Sequence, residues 1–491
     1  MRQKWINWWH RPAGGREVVW VALPLVISTC SWTVMHFVDR MFLVWHSQQE
    51  LAAALPAAMV SFVVVCFFLG VATYVNSFVA QYYGAKRYDR IGVAVWQGVW
   101  IGILSIPLLL VTITLAPWFF SQIGHVASVR PLETVYYQGL CYGQGAMVVG
   151  AALAGFFIGR GDVRTVMLVN IFAAMVNIVL DYPWIFGNWG FEERGIQGAA
   201  WATSIAQWIK VLVFAVFMMR VQYRARFGTL LGLRLDLPLM RRLLRYGAPS
   251  GVQFLVECSG ITALIMLLGR MGELELAASN LAFNVEALAF MPMLGIGIAV
   301  STLVGQRLGE DRADLAERAT WTAFQIGMAY MVLIASLYVF APRFLLMAHA
   351  AYAEPAEFER IAQLTTVLLR FVAVFCLFDA MNIVFVSAIK GAGDTRFVMV
   401  TTVSLASLAV AVTWVAMEYL GLGIQGAWTI ITIWVCLLGL TFLTRFRRGH
   451  WRSMRVIEPE LVTVLAETDD GDPQSLEPTI DPLTATAPEQ A

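Results

Sequence analysis

The strongest constraint in this sequence is a series of long apolar runs that recurs between residues 18 and 444. Each run is about 18 residues or longer, which is enough for a helix to cross a hydrocarbon core about 30 Å thick. Charged residues make up only 14% of the chain, whereas a typical soluble domain contains about 25%. We therefore predict an all-α membrane protein with twelve transmembrane helices.

The basic N-terminus imitates a signal peptide, because Arg2, Lys4, Arg11 and Arg16 precede the first apolar run. That run is too long for a signal peptide, and it lacks a cleavage site of small residues. We therefore predict that it is retained as the first transmembrane helix. All six cysteines fall inside predicted spans, a pattern that indicates neither a disulfide framework nor a metal cluster.

The distribution of Lys and Arg predicts the orientation of the helices. If the N-terminus is cytoplasmic, most of the 34 basic residues fall in segments on the cytoplasmic side. The exceptions outside the spans are Arg130, Arg194, Arg270, Arg343 and Arg360. Cytoplasmic loops of membrane proteins carry such an excess of positive charge. We expect both termini in the cytoplasm, and short loops without an Asn-x-Ser/Thr site favour a prokaryotic inner membrane.

The second half of the chain repeats the first at a nearly constant offset. Pro24 and Pro249 occupy corresponding places, and Gly195-Ile196-Gln197-Gly198-Ala199 reappears as Gly423-Ile424-Gln425-Gly426-Ala427. Each half contains six predicted spans, an even number, so both halves enter the membrane in the same orientation. This predicts two six-helix lobes related by a pseudo-twofold axis along the membrane normal, which is the plan of many alternating-access carriers.

The predicted spans and loops divide the chain into five segments. Residues 1–17 form a cytoplasmic N-terminal segment, 18–220 the N-lobe, 221–239 a cytoplasmic linker and 240–444 the C-lobe. Residues 445–491 form a cytoplasmic tail that we expect to be disordered, because its end is acidic and rich in Pro, Thr and Ser.

Two prolines and two Gly-Asp motifs predict local features of the helices. Pro24 and Pro249 each lie within a long span, where a proline weakens the ladder of helical hydrogen bonds. Each is therefore a candidate hinge, with a static kink as the alternative. The motifs Gly161-Asp162 and Gly393-Asp394 each precede a span, and we expect their aspartates to cap the following helix.

Five acidic residues lie within apolar segments, namely Asp39, Asp181, Glu257, Glu286 and Asp379. An ionised carboxylate at the centre of a membrane helix costs about 2.5–3.5 kcal/mol, so each must be paired, protonated, ion-bound or in contact with water. Hard oxygen ligands of this kind suit Na⁺ or H⁺ rather than a transition metal. The alternative is that each acid is a structural group satisfied by a neighbouring helix.

Four of these acids have a polar residue one turn away on the same helical face. Such a cluster can hold a proton or a small hard cation. We expect no cofactor, and no metal other than Na⁺ bound at these acidic clusters. The pairs are His36 with Asp39, Asn177 with Asp181, Gln253 with Glu257, and Asn382 with Asp379.

Six motifs carry a resemblance to a known family. They are Pro24 followed by Asp39, Val79-Ala80-Gln81-Tyr82-Tyr83-Gly84-Ala85, Gly159-Arg160-Gly161-Asp162, Asn177-Ile178-Val179-Leu180-Asp181, Gly198-Ala199-Ala200-Trp201-Ala202-Thr203 and Lys390-Gly391-Ala392-Gly393-Asp394-Thr395-Arg396. The pattern resembles the multidrug and toxic compound extrusion (MATE) family over residues 15–450. The chain departs from the family's Leu-Asp-Pro by placing Tyr182 before Pro183, and Glu286 is an acid where we expect a neutral residue.

The resemblance implies a V-shaped pair of lobes around a central cavity. Such a protein exports amphiphilic, often cationic compounds in exchange for Na⁺ or H⁺. The residues implied for the N-lobe cation site are Asp39, Asn177, Asp181 and Thr203. The C-lobe candidates for coupling or substrate binding are Glu257, Asp379 and, beside them, Glu286.

Three other functions are alternatives to cation-coupled export. A flippase for a lipid-linked precursor, from a related branch of the superfamily, would need a more basic cavity for its diphosphate cargo. A membrane-embedded enzyme would need a catalytic constellation at a membrane surface, and a channel would need a filter-like loop or a charged ring. Neither is evident in the sequence, and we expect no enzyme activity. The expected partners are small-molecule substrates and the lipid bilayer, without nucleic acid, and we expect a monomer.

Overall fold

The computed structural model describes residues 2–122, 128–350 and 355–458, and most of them are helical. Within these ranges, twelve helices are long and apolar enough to cross a membrane, which confirms the predicted number. The first half forms α1 (Arg2–His10), α2 (Gly15–His46), α3 (Gln48–Thr73), α4 (Val75–Gly84), α5 (Asp89–Gln122), α6 (Arg130–Gly159), α7 (Val163–Phe186) and α8 (Gly195–Met218). The second half forms α9 (Val221–Phe227), α10 (Leu237–Gly269), α11 (Glu273–Gly309), α12 (Ala313–Phe340), α13 (Pro342–Ala350), α14 (Pro355–Ala392), α15 (Thr395–Glu418) and α16 (Ile424–Arg447).

The spans form two lobes of six, as the sequence predicted, with α3 and α4 together making the second span. In the N-lobe (α2–α8), α6 packs against α3, α5 and α8. In the C-lobe (α10–α16), α14 packs against α11, α12 and α16. Both α6 and α14 are the fourth span of their lobe, and each is the most buried span in it. Equivalent helices thus take equivalent central places, as the internal repeat requires.

One end of the bundle carries the strongly basic loops, and we call it the basic end. The opposite end, which we call the far end, carries the turn between His46 and Gln48 and the turn between Gly269 and Glu273. The spans reach the basic end at Gly15, Gly84, Asp89, Gly159, Val163, Met218, Leu237, Gly309, Ala313, Ala392, Thr395 and Arg447.

The two lobes meet where glycines remove side chains from the helix faces. A Cβ atom on Gly70 of α3 would lie only 2.7 Å from the Cα atom of Gly251 in α10. Nearer the basic end, a Cβ atom on Gly84 would collide with the backbone of Gln306 in α11. Small residues let helices approach closely in membranes, where van der Waals packing drives much of the association. The lobes therefore contact each other through backbone rather than through interdigitated side chains at these positions.

The candidate hinge prolines do not interrupt their helices, whereas the second span breaks without one. α2 runs through Pro24 and α10 runs through Pro249. In the second span, α3 ends and α4 begins around Tyr74. The Tyr74 hydroxyl donates a hydrogen bond of 2.8 Å to the carbonyl of Lys390 in the C-lobe. In the described part of the chain, the second span is the only one that is divided into two helices. The division lies at Tyr74, a residue that contacts the other lobe.

The prediction that Asp162 and Asp394 cap the following helices is wrong. Both residues sit at the N-cap positions of α7 and α15, but neither side chain accepts a capping backbone N–H. Asp162 instead accepts a hydrogen bond from the Thr165 hydroxyl at 2.9 Å. Asp394 accepts one from Nε of Arg445 at 2.8 Å. In each motif, the carboxylate therefore accepts a hydrogen bond from another side chain instead of from the backbone of the following helix.

The beginning of the segment expected to be a disordered tail, 445–491, is ordered. After α16, Gly449 adopts a left-handed conformation and a short 3₁₀ helix follows at His450–Ser453. The Trp451 ring stacks on Phe446 with ring centroids 4.8 Å apart. The Val456 N–H donates to Oε1 of Gln81 at 2.8 Å. This correction covers residues 445–458, whereas 459–491 lie outside the described residues.

A methyl group added at the interlobe contact should destabilise the protein. We expect Gly251→Ala to lower the unfolding temperature, because its Cβ atom would collide with the carbonyl oxygen of Phe67 and overpacking costs about 1–3 kcal/mol. Gly260→Ala in the same helix is the matched control, since its Cβ atom would lie 3.7 Å from that of Ala406. Thermal unfolding in detergent measures both, and equal unfolding temperatures would contradict the close interlobe contact.

Candidate functional site

Three helices bring together the residues predicted for the N-lobe cation site. Asp39 lies in α2, Asn177 and Asp181 lie one turn apart in α7, and Thr203 lies in α8. The residues Asp39, Asn177 and Asp181 are buried. Nδ2 of Asn177 donates to the Thr203 hydroxyl at 3.3 Å. The structure therefore joins two acids, an amide and a hydroxyl into one polar cluster inside the lobe, which we call the N-lobe cluster.

The carboxyl groups of Asp39 and Asp181 face each other and are close enough to interact directly. Among the described residues, none of their four oxygen atoms has a hydrogen-bond donor, and Oδ1 of Asn177 has none either. Nδ1 of His36 lies 3.6 Å from Oδ2 of Asp39, just beyond hydrogen-bonding distance. Two facing carboxylates repel each other unless one is protonated or a cation lies between them. The arrangement therefore favours binding of a proton or a small cation.

An aromatic layer lies between the N-lobe cluster and the far end. Phe42, one turn beyond Asp39, has its ring centroid 6.0 Å from that of Tyr182 and 6.1 Å from that of Phe186. Tyr182 also contacts Trp189, with ring centroids 6.1 Å apart. The residue that departs from the Leu-Asp-Pro pattern is thus part of this layer. These contacts pack α2, α7 and the turn after α7 together on the far side of the acids.

The C-lobe acids come from three helices and are better satisfied. Nε2 of Gln253 donates to Oε1 of Glu257 at 2.9 Å in α10. Nδ2 of Asn382 donates to Oδ1 of Asp379 at 3.3 Å in α14. These are two of the local pairs that the sequence predicted.

Asp379 is also within electrostatic range of each of the other two C-lobe acids. Asp379 interacts with Glu257 from α10 and with Glu286 from α11. Glu257 and Glu286 are partly accessible, whereas Asp379 is buried. The structure therefore assembles the predicted C-lobe acids into one group, and their functional role, like that of the N-lobe residues, stays a prediction.

Lys390 is a neighbour of this group that the sequence analysis missed. It belongs to the last turn of α14 and lies within electrostatic range of Glu257. The signal available in the sequence was its place at the start of the Lys390-Gly391-Ala392-Gly393 motif. At least one C-lobe acid thus has a basic neighbour within electrostatic range.

Hydrogen bonds between the lobes close the basic end, and we call this set the interlobe seam. Nε2 of Gln81 donates to the carbonyl of Gly391 at 2.9 Å. Nε2 of Gln306 donates to the carbonyl of Gly159 at 2.8 Å. These are equivalent contacts in the two halves, because each glutamine ends the second span of its lobe and each glycine begins the repeated Gly-Asp motif. The set also includes Asn76 with Thr302, Tyr74 with Lys390, Ser77 with Ser301 and Arg307 with Glu17.

Two cysteines face each other across the lobes. The Sγ atoms of Cys66 in α3 and Cys258 in α10 lie 3.3 Å apart, and both thiols are free. Cys258 directly follows Glu257. Sequence analysis placed all cysteines inside spans and could not detect the pair, because the two residues come from different halves of the chain.

Two groups of acids within two repeated six-helix lobes are features of a polytopic membrane transporter. The MatE family model matches residues 24–183 and 249–415, one stretch in each half. The chain therefore belongs to the MatE family. A protein named "Probable multidrug resistance protein NorM" from Xanthomonas axonopodis pv. citri (strain 306) is 28% identical over 387 residues, which cover 77% of this chain and 82% of that protein.

Solved structures show the same fold. The structure of the eukaryotic MATE transporter AtDTX14 aligns with a TM-score of 0.80 at 18% identity and covers 89% of this chain and 96% of that one. A structure described as the outward-facing conformation of a multidrug resistance MATE family transporter of the MOP superfamily aligns with a TM-score of 0.78 at 22% identity. It covers 92% of this chain and 99% of that chain.

Removing one of the two facing aspartates should stabilise the ion-free protein. We expect Asp181→Asn to raise the unfolding temperature at pH 8 without Na⁺, because the substitution removes carboxylate repulsion and adds a donor. Glu257→Gln is the control, since Glu257 already accepts a hydrogen bond from Gln253. Thermal unfolding in detergent is the measurement. A lower unfolding temperature for Asp181→Asn than for the wild type would show that the two carboxylates do not repel each other.

The cysteine pair should form a disulfide under a mild oxidant such as copper phenanthroline. The two Sγ atoms are close enough to bond once both protons and two electrons pass to the oxidant. We expect the bond to stop transport by joining the lobes, and a reductant to restore it. Loss of free thiols by mass spectrometry measures the reaction, with Cys66→Ser as the control. If both thiols of the wild type remain free after treatment with the oxidant, that result would contradict the observed contact.

Proposed function

We propose that this chain is a secondary antiporter that exports small, amphiphilic organic cations in exchange for Na⁺ or H⁺. The observation that carries the proposal is the N-lobe cluster, in which the carboxylate oxygens of Asp39 and Asp181 are buried and have no hydrogen-bond donor among the described residues. An ionised pair in that place is costly unless a cation binds. The name of the Xanthomonas relative, a probable multidrug resistance protein, supports export of drug-like compounds.

The proposed location is a bacterial inner membrane with both termini in the cytoplasm. The support is the excess of Lys and Arg at the basic end, which the positive-inside rule places in the cytoplasm. With that orientation, the interlobe seam closes the cytoplasmic side.

In the proposed cycle, a cation from outside binds between Asp39 and Asp181 and the substrate leaves to the outside. The seam then opens as Gln81 and Gln306 release their carbonyl partners, and the lobes rock to face the cytoplasm. One charge entering at 100 mV contributes about 2.3 kcal/mol from the membrane potential. Because linkage is reciprocal, cation and substrate must weaken each other's binding by equal free energies.

The proposed cargo follows from the charge and shape of the surfaces between the lobes. Glu257 and Glu286 are partly accessible and suit a cationic group. Phe62 and Phe254 contact each other across the lobes with ring centroids 5.8 Å apart, and such rings suit the apolar part of a ligand. A lipid-linked diphosphate would meet these acids unfavourably, so the flippase alternative is not favoured.

Efflux of a fluorescent cationic dye tests the proposal. We expect inverted vesicles that contain the wild type to move the dye under an imposed Na⁺ or H⁺ gradient. Asp39→Asn should lose at least ten-fold in gradient-driven rate, because the remaining acid no longer needs a cation. Glu257→Gln is the parallel variant of the C-lobe.

The pattern of losses assigns the coupling site. Loss in Asp39→Asn alone supports coupling in the N-lobe, and loss in Glu257→Gln alone would move the coupling site to the C-lobe. Wild-type vesicles that move no dye under either gradient would contradict export of organic cations. The ion whose gradient drives efflux is the coupling ion.

A further inference from the structure

The linker that joins the lobes lies along α5 instead of extending into solvent. Nε1 of Trp96 donates to the carbonyl of Thr229 at 2.7 Å, and Nε1 of Trp100 donates to that of Leu233 at 3.2 Å. Between them, Nε2 of Gln97 donates to the carbonyl of Arg234 at 3.2 Å. Three side chains within five residues of one transmembrane helix thus hold the linker in place.

The position of these contacts places the linker at the depth of the membrane surface. Trp100 lies about 16 Å along α5 from Asp89, at 1.5 Å per residue. Trp side chains concentrate at the boundary between lipid and water. The linker and the start of α10 carry exposed leucines. They are Leu230, Leu233, Leu235 and Leu237, with exposures of 43%, 41%, 52% and 64%.

A cavity of about 500 Å³ lies between α5 and the linker. Its lining includes the basic residues Arg90 and Arg234, the acid Asp236, and the apolar residues Leu235 and Leu237. The cavity therefore combines cationic groups with an apolar edge, which is the chemistry of a lipid headgroup site at a membrane surface.

The carboxylate in the cavity is already used by protein groups. Oδ2 of Asp236 accepts from Arg90 at 3.2 Å, and Oδ1 accepts the Leu239 N–H at 3.0 Å as the N-cap of α10. Arg234 makes no ion pair among the described residues. Its guanidinium is therefore available to an anionic ligand.

The sequence around the cavity is strongly basic. Between residues 220 and 245, Asp236 is the only acid. Basic pockets and arginine clusters next to transmembrane helices on the cytoplasmic side attract anionic lipids. The arginines of this stretch are Arg220, Arg224, Arg226, Arg234, Arg241, Arg242 and Arg245.

We propose that this linker cavity binds the phosphate group of an anionic phospholipid, with the acyl chains lying along Leu235 and Leu237. Guanidinium groups form strong charge-assisted hydrogen bonds with phosphate. The bound lipid contacts α5 of the N-lobe and the start of α10 in the C-lobe, so it bridges the two lobes at their covalent connection. This site depends on membrane insertion and not on the proposed transport function.

Lipid binding in detergent tests the site directly. Native mass spectrometry of the full chain with phosphatidylglycerol or phosphatidylcholine measures bound lipid. We expect phosphatidylglycerol to bind in preference, and Arg234→Gln to weaken its binding about fivefold, the loss expected for one arginine near a membrane surface. Arg318→Gln is the matched control, since Arg318 is an exposed arginine at the basic end of the C-lobe.

A photoactivatable phosphatidylglycerol provides a second measurement on the wild type and needs no variant. We expect its cross-links to map to α5 near Trp96 and Trp100 and to the linker near Leu235. Equal binding of both lipids, equal loss in Arg318→Gln, or cross-links elsewhere would overturn the proposal. Inorganic phosphate that displaces phosphatidylglycerol completely would instead indicate a site for the free anion.

Discussion

The cost of placing carboxylates among helices surrounded by lipid is the constraint on which this structure depends. Every acid in the spans needs a partner or a cation, since lipid provides neither water nor counter-charge. The two lobes meet this requirement differently. Glu257 and Asp379 accept side-chain hydrogen bonds at 2.9 and 3.3 Å, whereas Asp39 and Asp181 face each other with no donor among the described residues. The N-lobe pair is thus the less satisfied of the two groups, and we infer that it is the one that responds most strongly to an ion.

The interlobe seam is symmetric because the two lobes are repeats of one unit. The segment after α16 adds a contact on one side only. Gln81 and Gln306 bind equivalent carbonyls in the opposite lobe at 2.9 and 2.8 Å. Gln81 also accepts the Val456 N–H, whereas Gln306 has no such contact with a backbone N–H among the described residues. The single residue Gln81 therefore connects the N-lobe, the C-lobe and the segment after α16. Any rearrangement that opens the basic end must break this three-way contact.

The linker shows how a connection between lobes can also be a membrane contact. Its backbone carbonyls are held by Trp96 and Trp100, so its leucines and Arg234 are presented at a fixed depth. A flexible chain of the same composition would distribute these groups over many positions and would lose their combined attraction to one lipid. The rigid attachment therefore turns a basic, leucine-rich stretch into a defined cavity between α5 and the start of α10.

Sequence alone determined the number of spans, the two lobes and the acids inside them, because hydropathy, repeats and charge are properties read along the chain. It also predicted the local pair of Gln253 with Glu257, since residues four apart share a helical face. It could not predict the contact of Cys66 with Cys258 or the ordered contact of Val456 with Gln81, and it assigned Asp394 to a cap instead of Arg445. These contacts join residues that are distant in the chain. Only the packing of helices decides which of them meet, because each helix offers several faces and the sequence does not specify which face meets which neighbour.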